Sequence, residues 1–261
     1  MNFKYTKAEF KAKTVLEECG LDVPTQLLLE EIVLGRGAYY EEKSLEFKEG
    51  EIVSFGDRSI ITINSNIQYQ TKKRFAIAHE LGHFEMHKNL SPIITDTEYD
   101  LVNWYQAGPQ EAEANEFAAE FLMPSNLFYS ECEEYYFDPS LITHLANLFD
   151  VSKTAALLRF VKRGNHPVCV IYCKDNKMKW FKASYDWKYF IEFERDKRPP
   201  TDSVAYELFT SKKVYAQNEL KQEIWKSTWL RHNPEYGDPK FYEYCLFVPK
   251  YNYSLSIIWE D

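Results

Sequence analysis

Two histidines four residues apart, with a glutamate directly after the first, occur in the segment His79-Glu80-Leu81-Gly82-His83. On a helix, side chains at this spacing lie on one face, so both imidazoles can bind one metal ion. Zinc suits such a pair because it accepts imidazole and carboxylate ligands, and it lowers the pKa of a water that it holds to about 7. The spacing therefore predicts a Zn2+ site, with His79 and His83 as metal ligands and Glu80 as the catalytic base.

The third ligand that a catalytic zinc needs is expected from a glutamate-rich helix later in the chain. By helical spacing, Glu113, Glu116 and Glu120 form one polar face of this helix. Glu111 lies instead among small and apolar residues, where an acid is costly unless it is paired or bound to a metal. We therefore predict Glu111 as the third metal ligand, with Glu113 as the alternative. Asn115, one turn after Glu111, is expected to orient Glu111 or a histidine ligand from behind.

A further histidine, His87, lies one turn beyond His83. His79 and His87 are separated by about 12 Å along a helix axis, at about 1.5 Å per residue, so one ion cannot use all three histidines. We interpret His87 as structural. A hydrogen-bond donor for a developing oxyanion is also needed, and the sequence leaves several candidates open. These are Tyr99, Tyr105, Arg74, His144, His166 and His232.

The composition excludes several functional classes. The chain has 261 residues and a formal net charge of −9, which argues against charge-driven wrapping of nucleic acid and against binding to an anionic membrane surface. The N-terminal segment has no apolar signal sequence, and no apolar run is long enough to cross a bilayer. Five scattered cysteines are typical of reduced thiols. We therefore predict a cytoplasmic protein.

Local patterns predict elements that would position these residues. Apolar spacing and capping residues predict helices over 6–19, from near Pro24 to Leu34, from an N-cap at Thr71 to Lys88, from Gln110 to Leu122, and twice within 140–163. Alternating residues predict strands at Glu51–Phe55 and Ser59–Asn64, and hairpins over 168–182 and 242–259. The strand at Ser59–Asn64 is a candidate for binding an extended peptide by strand addition. Residues 89–108 are expected to form a connecting loop.

A helix-turn-helix pattern over residues 141–163 offers another function. Lys153, Arg159, Lys162 and Arg163 make this segment locally basic, as in a DNA-binding regulator. Its second helix lacks base-reading side chains at its start, so packing or docking of a protein partner is the favoured interpretation.

The segment Arg74-Phe-Ala-Ile-Ala-His-Glu-Leu-Gly-His83, followed by Glu111 to Leu-Met-Pro124, resembles the ImmA/IrrE family of zinc metallopeptidases. The resemblance covers roughly residues 24–163 and is weaker beyond them. It implies that His79, His83 and Glu111 hold zinc and that Glu80 is catalytic. It also implies a zincin-like fold, in which a small twisted sheet lies beside the active-site helix.

The resemblance further implies a regulatory protease. Members of this family cleave a helix-turn-helix transcriptional repressor, often encoded nearby, and so derepress mobile-element, stress or toxin–antitoxin genes. We therefore expect an α+β chain with a zincin-like metallopeptidase domain at 1–135, a helical segment at 136–164 and a mixed α/β domain at 165–261. The expected function is a zinc-dependent endopeptidase acting on a cytoplasmic protein. A non-cleaving zinc protein that binds a partner or DNA is the alternative.

Overall fold

The structure is a computed structural model, and it describes residues 3–22, 25, 28–88, 93–95, 108–211, 219–233, 235 and 237–260, with only the backbone at 93–95. The chain forms two compact units. Unit 1 comprises Met1–Glu134 and Thr143–Ala156, and unit 2 comprises Tyr135–Ile142 and Leu157–Asp261. The three-part division with limits at 135 and 164 stays a prediction.

Unit 1 begins with two helices, α1 (Lys7–Glu18) and α2 (Leu29–Gly35). The side chain of Thr6 accepts a hydrogen bond from the backbone of Glu9 and the Glu9 carboxylate accepts one in return, so a capping box starts α1. The predicted start of α2 near Pro24 is wrong in position, because Leu28 still has an extended backbone. Pro24 itself lies outside the described residues.

A four-stranded sheet follows, built from β1 (Tyr39–Lys43), β2 (Gly50–Phe55), β3 (Arg58–Asn64) and β4 (Ile93–Thr95) in the order β1-β3-β2-β4. Strand β1 runs parallel to β3, whereas β2 is antiparallel to both β3 and β4. Strand β3 is therefore internal, and the idea that it binds a peptide by strand addition is wrong because both of its edges are occupied. Strand β1 was not predicted from the sequence, and the connecting loop expected over residues 89–108 is wrong at Ile93–Thr95, which form β4.

Helix α3 (Gln70–His87) packs against β2 and β3, and α4 (Pro109–Leu122) packs against α3 and α1. The N-cap of α3 is Tyr69, so Thr71 lies inside the first turn and not at the predicted cap. The helices approach closely at Gly82, where an added Cβ would lie 3.0 Å from the Phe117 ring. A side chain of Glu85 near the end of α3 is buried and forms ion pairs with Lys11 at 2.9 Å and with Arg36 at 2.6 Å.

The chain continues through α5 (Ser125–Glu133), α6 (Pro139–Leu148) and α7 (Lys153–Arg163). The predicted pair of helices within 140–163 is confirmed, with Phe149–Ser152 between them. The sequence did not predict α5. Its first residue, Ser125, donates from its backbone nitrogen and hydroxyl to the Glu120 carboxylate, at 2.9 and 2.6 Å. Glu120 is buried by this contact, so it does not belong to the exposed polar face that helical spacing predicted.

Unit 2 contains a five-stranded sheet in the order β6-β5-β9-β8-β7, in which every neighbouring pair is antiparallel. The strands are β5 (Cys169–Lys174), β6 (Lys177–Ala183), β7 (Glu219–Trp225), β8 (Lys240–Val248) and β9 (Tyr253–Trp259). Both predicted hairpins, β5–β6 and β8–β9, are confirmed. Helices α8 (Val204–Thr210) and α9 (Lys226–Trp229), together with β7, were not predicted.

The buried carboxylate of Glu243 joins the elements of unit 2. It accepts hydrogen bonds from the backbone of Val204 at 2.9 Å and Ala205 at 3.0 Å, from the Trp229 indole at 2.8 Å and from the Ser256 hydroxyl at 2.6 Å. The start of α8, the end of α9 and strand β9 are thus bonded to one side chain of β8. Four donors satisfy an acid that would otherwise be costly to bury.

The expected α+β class is therefore confirmed, with a small sheet beside a helix that carries the histidine motif. None of the helices in the described part of the chain combines the length and apolar composition that a membrane crossing requires.

Candidate metal centre

Helix α3 places its first two histidines side by side. The Nε2 atoms of His79 and His83 are 3.0 Å apart, as expected for imidazoles one helical turn apart. Both side chains are buried between α3 and its neighbours, with 4% and 0% of their surface exposed. Their ring nitrogens therefore face a protected position and not bulk water.

The carboxylate of Glu111, in the first turn of α4, faces the same position. One of its oxygens lies 3.2 Å from His79 Nε2, and the other lies 3.3 Å from His83 Nε2. The three residues form a group that could hold a metal ion. The close approach of α3 and α4 at Gly82 allows this meeting, because the two helices carry the donors on facing sides.

Hydrogen bonds on the far side of each ring determine which nitrogen carries the proton. Asn115 Oδ1 lies 2.9 Å from His79 Nδ1, and an amide oxygen only accepts, so His79 Nδ1 donates. The Glu113 carboxylate lies 2.8 Å from His87 Nε2, which therefore donates, and His87 Nδ1 is left to accept from His83 Nδ1 at 3.0 Å. Both His79 and His83 consequently present an Nε2 lone pair.

This donor set fits a divalent metal ion. Two Nε2 lone pairs and a carboxylate facing one another at 3.0–3.3 Å repel unless a cation lies between them. Donors bound to a tetrahedral ion at about 2.0–2.1 Å lie about 3.3 Å apart, close to the spacing found here. The nitrogen and oxygen donors also suit zinc.

Glu80 is buried beside this group, on α3, and its side chain packs against β2. A Cβ added at Gly50, the first residue of β2, would lie 2.5 Å from Glu80 Oε1 and 2.8 Å from its Cγ. Only glycine at position 50 thus leaves room for the Glu80 carboxylate in this place.

Comparison with known proteins agrees with this geometry. The family model Peptidase_M78, described as the IrrE N-terminal-like domain, matches residues 37–161, which include the three residues of the group, Glu80 and Gly50. This region is therefore similar to the ImmA/IrrE family. The IrrE-like domain is accordingly of the metallopeptidase type.

A solved structure shares the fold of this chain, including residues outside the range that the family model matches. It is described as a Mycobacterium tuberculosis transcriptional regulator, and it aligns with a TM-score of 0.67 over 98% of this chain and 77% of that chain. Its sequence identity is 13%, so the likeness concerns the fold alone. A search of the curated proteins finds no match.

Several other residues singled out from the sequence have different partners in the structure or lie outside unit 1 or the described residues. Glu113, the alternative ligand, contacts His87 instead of the Nε2 atoms. Among the oxyanion candidates, Arg74 is paired with Asp150 at 3.1 Å and His144 with Glu131 at 3.3 Å. Tyr99 and Tyr105 lie outside the described residues, and His166 and His232 belong to unit 2.

Burial disfavours thiolate chemistry at two cysteines of the described part of the chain. Burial raises the pKa of the Cys132 and Cys173 thiols to about 12, so neither forms the nucleophilic thiolate at neutral pH. The structure contains no disulfide among its described cysteines.

Sequence reasoning missed two features of the IrrE-like domain: Gly50 beneath Glu80, and the pairing of His87 with Glu113. The i, i+4 spacing of His83 and His87 could have indicated the contact between these rings. No local signal could have found Gly50, because it is distant in sequence from α3.

Proposed function

We propose that this chain is a zinc-dependent endopeptidase that cleaves a specific cytoplasmic protein. The observation that carries the proposal is the convergence of His79, His83 and Glu111 on one position, with the buried carboxylate of Glu80 on the same helix.

In this proposal His79, His83 and Glu111 are the metal ligands, and Asn115 orients His79 by accepting from its Nδ1. Zinc, when bound, supplies the Lewis acidity that polarises a peptide carbonyl and makes water acidic at neutral pH. A set of three protein ligands leaves one position open for this chemistry, which is typical of catalytic rather than structural sites.

Glu80 is the proposed general base and acid. Its carboxylate accepts a proton from the attacking water and later donates that proton to the leaving amine. Because Glu80 is buried against Gly50, its carboxylate is held in place by packing. Fixed placement of this kind aligns the proton acceptor before the substrate binds.

The proposed substrate is a helix-turn-helix transcriptional repressor encoded nearby, whose cleavage derepresses mobile-element, stress or toxin–antitoxin genes. The resemblance to the ImmA/IrrE family supports this class of substrate. Charge also supports it: the chain has a net charge of −9, and a DNA-binding repressor presents a basic surface that would be attracted to it.

The test combines metal analysis with a cleavage assay. Purified wild type is expected to hold one zinc per chain by mass spectrometry and to cleave the repressor encoded beside its gene. Glu111→Ala should lose the zinc. Glu80→Gln should keep the zinc and lose cleavage by roughly 10²–10⁴-fold. Glu31→Gln, at an exposed position of α2, is the matched control and should behave as wild type.

Two results would contradict the proposal. If wild type holds no zinc even after zinc is added back, the metal site is wrong. If Glu80→Gln derepresses the same genes in cells as well as wild type, the chain acts by binding and not by cleavage. Action as a DNA-binding regulator is disfavoured because Arg159 and Arg163, two of its four basic residues, are only 3% and 8% exposed.

A further inference from the structure

A second line of contacts runs behind the metal group, from α4 back to α3. His87 Nε2 lies 2.8 Å from the Glu113 carboxylate, and His87 Nδ1 lies 3.0 Å from His83 Nδ1. His87 is 2% exposed and His83 is fully buried, whereas the Glu113 side chain is 40% exposed. The line therefore connects a surface carboxylate with a buried metal-ligand candidate.

The direction of the hydrogen bonds follows from the carboxylate. Glu113 accepts, so His87 Nε2 donates; a neutral His87 then accepts at Nδ1, and His83 Nδ1 must donate. This fixes His83 with its lone pair on Nε2, the atom that faces His79 and Glu111. Because the Glu113 carboxylate accepts a hydrogen bond from His87, His87 becomes a stronger acceptor for the Nδ1–H group of His83. His83 is then a more basic metal ligand.

The Nδ1 atoms of His79 and His83 have different hydrogen-bond partners. His79 donates to a neutral amide, Asn115 Oδ1, at 2.9 Å. His83 donates to an imidazole, His87, that is itself hydrogen-bonded to the Glu113 carboxylate. Helix α4 supplies both kinds of residue, since Glu111 faces the ring nitrogens and Glu113 faces His87 behind them.

We propose that Glu113 and His87 are positioning residues that hold His83 in its metal-binding tautomer and raise the affinity of the site for zinc. This inference rests on the proposed zinc site. It replaces two interpretations of the sequence, in which His87 was only structural and Glu113 was an alternative ligand. We call this chain of hydrogen bonds, from Glu113 through His87 to His83, the relay. Its order means that Glu113 acts on His83 only through His87.

The order of the relay makes the proposal testable with a double-mutant cycle on zinc affinity, measured by competition with a chelator at one pH. His87→Phe and Glu113→Gln are each expected to weaken zinc binding roughly 10–100-fold, the usual effect of losing a partner of a metal-bound histidine. The double variant should bind no more weakly than His87→Phe alone, because Glu113 has no route to His83 without His87.

A matched control is available within unit 1. His144 also pairs with a carboxylate, Glu131, at 3.3 Å, and these residues belong to α6 and α5 and not to the helices that carry the metal group. His144→Gln should leave zinc affinity unchanged. His87→Asn should recover part of the affinity that His87→Phe loses, since its amide oxygen can accept from His83 in place of Nδ1.

Spectroscopy adds a readout independent of activity. In the cobalt-substituted protein, the visible absorption bands should shift in His87→Phe and Glu113→Gln and remain unchanged in His144→Gln. A purely structural role would instead lower the unfolding temperature of the metal-free protein without moving these bands. If His87→Phe fails to fold, Glu113→Gln still tests the relay, because Glu113 is largely at the surface.

Wild-type zinc affinity in both single variants would overturn the inference, and so would additive losses in the double variant, which would show that Glu113 acts directly through its charge. Either result leaves the proposed protease intact, provided that wild type binds zinc and cleaves. Failure of wild type to bind zinc would overturn both.

Discussion

At the scale of single residues, the metal group depends on what lies behind each ligand. Asn115 and His87 each accept a hydrogen bond from the Nδ1–H group of a ligand histidine, so that Nε2 of His79 and of His83 is left with its lone pair. The sequence spacing places the imidazoles on one face, but these partners decide that the rings are oriented as ligands. Gly50 positions Glu80 in another way, because it leaves room for the carboxylate instead of forming a hydrogen bond with it.

Gly50→Ala is expected to reduce the turnover number kcat at least tenfold while leaving zinc content and stability close to wild type. The added Cβ would lie 2.5 Å from Glu80 Oε1, and the flexible glutamate can move away at little cost to the fold. Such a movement takes the base out of line with the attacking water. The measurement is kcat on the cleaved repressor, with zinc content determined in parallel.

The control for this substitution is Gly35→Ala at the end of α2, where an added Cβ meets nothing within 4 Å. It should leave kcat unchanged. An unchanged kcat in Gly50→Ala itself would show that Glu80 keeps its position and that the close contact has no catalytic role.

At the scale of elements, the distance between α3 and α4 determines whether the ligands meet. Gly82 lies inside the histidine motif, and an added Cβ would lie 3.0 Å from the Phe117 ring. The ligands of α3 and the Glu111 carboxylate of α4 are on either side of this contact. The metal group can therefore form only if α3 and α4 lie close together.

Gly82→Val should destabilise unit 1 by about 1–3 kcal/mol, the usual cost of overpacking, and should weaken zinc binding because α4 is displaced with Glu111. Chemical denaturation and chelator competition measure the two effects. Adding Phe117→Leu makes room for the valine, so the double variant is expected to recover part of both losses. Purely additive effects would mean that Gly82 and Phe117 are not coupled.

The start of α6 depends on Asp138 in unit 2. Its carboxylate accepts from the Ser140 backbone at 2.9 Å and from the Lys221 ammonium at 2.7 Å. Burial alone would raise the pKa of Asp138, but the hydrogen bonds from Lys221 and Ser140 outweigh it and lower that pKa. Its contribution to stability is therefore present above the ordinary aspartate pKa, about 3.9, and is lost as the pH falls through the lowered value.

Asp138→Ala is accordingly expected to lower stability by about 1 kcal/mol at pH 7, the usual cost of losing an N-terminal helix cap. The difference from wild type should shrink as the pH falls below about 4, where the wild-type carboxyl becomes protonated. Urea denaturation at a series of pH values measures this. A difference that stays constant to pH 2 would argue against the ionised carboxylate as the source.

At the scale of the whole molecule, each of the two units has its own sheet and its own core. The candidate metal ligands all belong to unit 1, whereas in unit 2 the buried Glu243 carboxylate is hydrogen-bonded to α8, α9 and β9. A substitution in the unit 2 core is therefore expected to change the stability of that unit without changing metal binding in unit 1.

Glu243→Gln is expected to destabilise unit 2 by about 1–3 kcal/mol. The new amide NH2 would face donors that now bond to the carboxylate, and buried donors left without acceptors are costly. Trp229 donates to Glu243, so tryptophan fluorescence during urea denaturation reports the loss. Zinc content of the folded variant should equal that of wild type, and a loss of zinc would show that the metal group depends on unit 2.

Much of this protein could be predicted from local patterns. The apolar spacing of α1, α3 and α4 predicted these helices, and the turn residues between the strands predicted both hairpins of unit 2. Strands β1 and β4 escaped prediction because a short strand needs its neighbours to be recognised. Glu120 was misplaced because helical spacing cannot show that the next helix covers it.

The donor types and their spacing follow from the amino-acid sequence alone: two imidazoles one turn apart, a glutamate beside them and a second helix rich in acids. Helical periodicity depends on residues that are close in sequence, so this spacing can be recognised without knowledge of the fold. Three contacts could be found only in the folded chain: Glu111 faces the imidazoles, Glu113 bonds to His87, and Gly50 makes room for Glu80. These outcomes depend on how closely α3 approaches α4 and β2, a distance set by packing between residues far apart in the chain.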